Sequence, residues 1–174
     1  MSYSNPTIEV QRKISVLCVK ENSIYNEIPN LDLWGKYRNA YNFKGTTPVI
    51  AHPPCQQWSR LRYFSRANKE EKDLAHFCLE QVRKNGGILE HPHGSNFFKE
   101  AGIRPTISIN QSWFGFSCKK TTLLYFHHYR PIAHPLNFDR IEKRINDLTS
   151  RKDKRSEMSL KFAKWLTECI WNIE

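Results

Sequence analysis

Between Lys69 and Lys84 apolar residues recur at helical spacing, at Leu74, Phe77, Cys78 and Val82, and the triplet Asn85-Gly86-Gly87 follows at once. Glycine enters the left-handed backbone that closes a helix at little cost, so this run predicts a helix with an abrupt stop. GILE, over 87–90, then reads as a short buried strand, and TPVIA, over 47–51, as another ahead of the helix. A strand, a helix and a strand in that order make a crossover unit, which sets the two strands parallel in one sheet.

The alternation continues in both directions. ISVLCVK, over 14–20, reads as a strand and TTLLYF, over 121–126, as a further one. Residues 31–43 read as a short helix with Leu31, Trp34, Tyr37 or Arg38, and Tyr41 on one side, and residues 95–102 as a helix closed by Gly102. Residues 156–173 read as an amphipathic helix capped by Ser156, with Leu160, Ala163, Leu166 and Ile170 inward. The expected architecture is α/β: one three-layer, Rossmann-like domain over 1–174 with a mostly parallel sheet, and a basic linker around 140–155 before the last helix. A chain of 174 residues buries enough surface to need no disulfide or metal to hold its core.

Charge narrows the partners. The formal net charge is +10, which favours polyanions: DNA, a nucleotide or a nucleotide-derived small molecule. No apolar run approaches the ~18 residues of a membrane span, so no membrane partner is expected. MSYSNPTIEVQRK lacks the apolar middle of a signal peptide, which predicts a cytoplasmic protein. Cysteines stand at 18, 55, 78, 118 and 169 without a CxxC pair, so they are expected as reduced thiols rather than a disulfide framework or zinc ribbon. Nothing in the sequence reports on oligomeric state.

Ligands of such sheets sit at the carboxyl ends of the strands. If VIA is central, the loops 52-HPPCQQWS-59 and 90-EHPHGS-95 lie there together, and Cys55 and Glu90 face one crevice. Consecutive prolines fix the backbone ahead of Cys55, and a thiol mounted so rigidly suits nucleophilic attack. Its pKa is expected to be lowered by Arg60 and Arg62 or by His52. His52, Pro54, Gln56, Trp58, Ser59, Arg60 and Arg62 on the first loop, with Arg66 beyond, and His91, His93 and Ser95 on the second are the candidate ligand contacts. Gln111, Trp113, Lys119, Lys120 and Thr121 join them, the lysines with Thr121 and Thr122 as a phosphate clamp and the aromatics as stacking walls for a flat base. Three of His52, Cys55, His91 and His93 would suffice for a zinc shell, but loop histidines more often bond to protein or phosphate, so no metal is expected.

These residues carry a resemblance. PPCQQWS resembles the nucleophile loop of cytosine-C5 DNA methyltransferases, GILEHP their strand ending in glutamate, and 111-QSWFGFSCKKTTLLYF-126 a later glutamine-containing motif. The resemblance implies that Cys55 adds to carbon 6 of a pyrimidine while Glu90 contacts N3 and the exocyclic amine as acid/base. It also implies S-adenosylmethionine, yet the family's glycine-rich turn after the first strand has no counterpart: the first glycine is Gly35. Weak or absent cofactor binding is therefore expected. The string HPPCxxWS, GGILEHPxGS, QxxFG and KxT is also similar to a group of small uncharacterised phage and prophage proteins, which would place the chain in host cytoplasm. Two functions follow: a nucleotide- or base-handling enzyme with Cys55 as nucleophile, or a non-catalytic module that binds a nucleotide-derived ligand, as a phage counter-defence protein does.

Overall fold

A computed structural model of the chain describes residues 12–58, 69–135 and 157–172. Six strands form one sheet: β1 (Ile14–Val19), β2 (Leu31–Gly35), β3 (Val49–Ala51), β4 (Gly87–Pro92), β5 (Ile107–Asn110) and β6 (Thr121–His127), in the spatial order β2-β1-β3-β4-β6-β5. The first four are mutually parallel, and β6 runs antiparallel to both β4 and β5. Among the described residues the helices are α1 (Lys69–Asn85), α2 (Phe97–Glu100) and α3 (Leu160–Trp171). This mixed, mostly parallel sheet with helices is the Rossmann-like α/β arrangement that the strand and helix alternation predicts.

Alternation along each strand divides the interior into two cores. Val16, Ile50, Ile88, Leu124 and Phe126 point to one face and pack with Phe162, Trp165, Leu166 and Ile170 of α3. Leu17, Val49, Ala51 and Leu89 point to the other and meet Ala75, Cys78, Leu79 and Val82 of α1 with Phe97 and Phe98 of α2. Each such side chain contributes roughly 1.5–3 kcal/mol by leaving water. α1 carries Glu70 and Glu71 in its first turn and Arg83 and Lys84 in its last, the signs that its dipole favours. Beyond it Gly86 takes φ 75° and Gly87 φ 140°, and a Cβ on Gly87 would stand 1.9 Å from the Val49 carbonyl oxygen. Only glycine lets β4 enter the sheet there.

The expected helix over 31–43 is not formed. Leu31–Gly35 is instead β2, paired with β1 from Ile14↔Leu31 to Val19↔Gly35, and only Ala40–Asn42 makes a single 3-10 turn. Leu31 and Leu33 pack on the α3 side and Trp34 on the α1 side, so two-sided burial placed apolar residues at the 31/34 spacing of a helix. Gly35, a poor helix residue, marks where the strand ends. β5 was also absent from the sequence expectation. α3 starts at Leu160 and is capped by Ser159, whose Oγ accepts from the Phe162 amide at 3.2 Å. Ser156, the expected cap, and the basic segment 140–155 lie outside the described residues. Among the described residues no helix is long and apolar enough to cross a membrane.

Candidate functional site

Strand parity decides which side chains meet at the carboxyl ends of β3 and β4. Ile50 and Ile88 face α3, so the residues two further along, His52 and Glu90, face the same way. Because β6 is antiparallel to β4, its beginning rather than its end reaches this edge, bringing Thr122 in the same parity as Leu124. Tyr25, on the 3-10 turn Ile24–Glu27 after β1, closes the group from below.

The four side chains form one hydrogen-bonded chain. Tyr25 Oη lies 2.8 Å from His52 Nε2, His52 Nδ1 lies 3.2 Å from Glu90 Oε2, and the Thr122 hydroxyl donates to Glu90 Oε1. The Thr122 hydroxyl also has the His91 carbonyl 3.0 Å away as its other acceptor. Burial, and then the Glu90 charge, push the Tyr25 phenol well above its ordinary pKa, so its proton stays in place. Burial alone would raise the Glu90 carboxyl. The hydrogen bond and charge of His52, the Lys120 charge and the Thr122 hydroxyl outweigh it and hold the carboxyl at about 2. Glu90 is thus a nearly enclosed carboxylate, 12% exposed in its side chain, with both oxygens engaged.

Cys55 stands at this edge, half-buried, just before the 3-10 turn Gln56–Trp58. Its thiol is raised, first by burial and then by the Glu90 carboxylate, with Lys120 pulling the other way. The lowered thiol expected from its neighbours is therefore corrected: the His52 imidazole is committed to Glu90 and Tyr25, and Arg60 and Arg62 lie outside the described residues. Lys120 is itself lowered by burial, against the raising charges of Glu90, Cys118 and Cys55, and its Nζ donates to the Glu157 carbonyl. Lys120, Glu90 and Cys55 therefore lie within electrostatic reach of one another.

The other expected contacts scatter. His91, on the opposite parity to Glu90, is fully buried and stacks on Phe97 with ring centroids 5.0 Å apart, which makes it a core residue of the α1 side. Trp58 is buried against Phe97 and His76 there, with the Lys72 ammonium over its ring. Trp113 stacks on His134. Gln111 is buried, Pro54, Gln56 and Thr121 are half-buried, and His93 and Lys119 are exposed. The Ser95 hydroxyl accepts from the Phe97 amide at the start of α2. Ser59 and Arg66 lie outside the described residues with Arg60 and Arg62. Among the described residues no three His, Cys, Asp or Glu side chains converge as a metal shell, so the His52, Cys55, His91 and His93 alternative is not assembled.

Tyr25 is the site residue that sequence reading missed, and Thr122, expected as part of a phosphate clamp, instead donates to Glu90. Thr122 had a usable signal: it lies two residues before Leu124 in a strand that alternates buried and half-buried from 121 to 127. Tyr25 had none, since it sits in a turn 27 positions before His52. Comparison of the chain with protein-family models, curated proteins and solved structures finds no match in any of the three.

Proposed function

We propose that the chain is an enzyme handling a pyrimidine base or nucleotide, with Cys55 as nucleophile and the Glu90–His52 pair as its proton-transfer group. The observation that carries this reading is the hydrogen-bonded chain Tyr25–His52–Glu90–Thr122 at the carboxyl ends of two adjacent parallel strands, with Cys55 and Lys120 within electrostatic reach of Glu90. In the step proposed, the Cys55 sulfur bonds to carbon 6, the electron pair of the 5,6 double bond moves into the ring, and N3 takes a proton from the pair. The thiol proton passes back to the pair, so protons and electrons balance. Before a ligand enters, the Glu90 charge keeps the thiol protonated. A base whose N–H groups cover that carboxylate relieves the restraint, so the ligand itself activates the nucleophile. Lys120 supplies a nearby positive charge for a phosphate.

The test needs no second substrate. Addition at carbon 6 makes carbon 5 basic, and reversal after it has taken up a solvent proton exchanges its hydrogen. With deoxycytidine monophosphate or a cytosine-containing oligonucleotide in deuterium oxide, the parent protein should catalyse exchange at carbon 5. Cys55→Ser should abolish it while retaining ligand, and Glu90→Gln should slow it by about a hundredfold or more. Calorimetry with S-adenosylmethionine should show weak binding or none, because residues 20–23 after β1 contain no glycine. Tight binding there would turn the reading into methyl transfer.

A second reading has an observation of its own. The raised Cys55 thiol and the permanently ionised Glu90 suit a non-catalytic module that grips a nucleotide-derived ligand, as a phage counter-defence protein does. Ligand retention without exchange at carbon 5, unchanged by Cys55→Ser, would select it.

A further inference from the structure

Outside this crevice, two other thiols face one another. Cys18 Sγ and Cys78 Sγ lie 3.5 Å apart, one on β1 and the other on α1, and 60 positions separate them in the chain. Both are thiols in this structure. Cys18 sits where β1 slips register against β2 between Leu17 and Val19, and its φ is 63°. A non-glycine residue is costly in that left-handed region, and here the bulge aims the side chain at the helix packed on the α1 side of the sheet. We propose that Cys18 and Cys78 form a reversible dithiol/disulfide couple that ties the end of β1 to α1. The couple is independent of the base-handling reading, since neither sulfur belongs to the Cys55 crevice.

The direction of reaction follows from exposure. Cys78 is fully buried in α1, whereas Cys18 is half-buried. The hydrogen bond shared with Cys18 and then burial push the Cys78 thiol well up, and the half-buried Cys18 is the sulfur that meets an oxidant. With a small disulfide such as glutathione disulfide, the Cys18 sulfur attacks one sulfur of the oxidant, forming a mixed disulfide and releasing one glutathione thiolate. Cys78 then gives up its proton and attacks Cys18, expelling the second glutathione. Two protein thiols and one disulfide become one protein disulfide and two thiols, with both electrons ending on glutathione. The sulfurs must approach from 3.5 Å to a bond of about 2.05 Å.

The experiment equilibrates the folded chain in glutathione redox buffers, alkylates remaining thiols after unfolding, and maps disulfides by peptide mass spectrometry. In oxidising buffer the Cys18 and Cys78 peptides should be recovered joined, Cys55, Cys118 and Cys169 should be alkylated, and reduced glutathione should reverse the change. In Cys78→Ser the mixed disulfide should persist on Cys18. Cys18→Ser should give no intramolecular disulfide, and this variant keeps the test open if serine at the buried position prevents folding. Recovery of Cys18 and Cys78 as separate alkylated peptides at every buffer composition would overturn the proposal, as would a mixed disulfide on Cys18 in the parent that never resolves.

Discussion

Glu90 and His91 are neighbours in sequence that point to opposite sides of β4, and both are held deprotonated, one as a charged carboxylate and the other as a neutral imidazole. The Glu90 carboxyl is held at about 2 in the folded chain against 4.5 ordinarily. The unfolded chain therefore takes up this proton first as pH falls, and the stability contributed is complete above about 4.5 and lost on the way to about 2. Burial lowers His91 from 6.5 to about 4, against the raising effects of Glu90 and the Pro54 carbonyl. Here too the unfolded chain binds the proton first, and stability is lost between about 6.5 and 4. Each shift corresponds to about 3 kcal/mol. Urea midpoints measured from pH 7 to pH 2 should fall in two stages. His91→Leu should flatten the upper stage alone and Glu90→Gln the lower alone. A parent-like slope between pH 6.5 and 4 in His91→Leu would show that the buried imidazole is not the group titrating. The loops bearing Cys55 and Glu90 were legible because their strands were. His91 was misplaced because a loop reading of 90–95 ignores parity, and β4 continues as a strand to Pro92, which turns consecutive residues to opposite faces.

At the scale of the element, what the sequence resolved well were segments with one buried face. α1 showed a single apolar stripe with a glycine stop, and it forms over Lys69–Asn85. β2 failed because its side chains serve both cores, and a strand covered on both sides loses the period that identifies it. α3 was found while its cap was not, since two serines three residues apart both satisfy the N-cap preference and only the structure shows Ser159 also donating to the Phe114 carbonyl at 2.8 Å. Gly87 gives the sharpest test at this scale. Its conformation and the approach of the Val49 carbonyl both exclude a side chain, so Gly87→Ala should cost about 3 kcal/mol or more, with β3–β4 amides losing protection from hydrogen exchange first. A variant as stable as the parent would mean that β4 can shift without breaking the sheet.

For the whole molecule, the layered α/β order was readable because strand and helix signals alternate along the chain, whereas nothing in TTLLYF says which way that strand runs. Its reversal matters most at the crevice. The turn delivering Lys120 and Thr122 is the connection between β5 and β6, and both ends of it are fastened: the Gln111 amide donates to the Lys120 carbonyl at 2.9 Å, and Asn110 Oδ1 accepts from the Lys120 amide at 3.1 Å and the Ser112 amide at 3.3 Å. Within that fastened turn Phe116 lies beside the Lys120 ammonium, and Ser117 and Lys119 are exposed. Substitutions at Phe116, Ser117 and Lys119 should therefore change ligand retention while moving the folding free energy by less than about 0.5 kcal/mol. A large loss of stability would show that the turn is part of the core. On the proposed reading, selectivity is portable: a few residues between two clamped ends can be exchanged like a tool in a chuck, and new ligand preferences can be selected without renegotiating the fold.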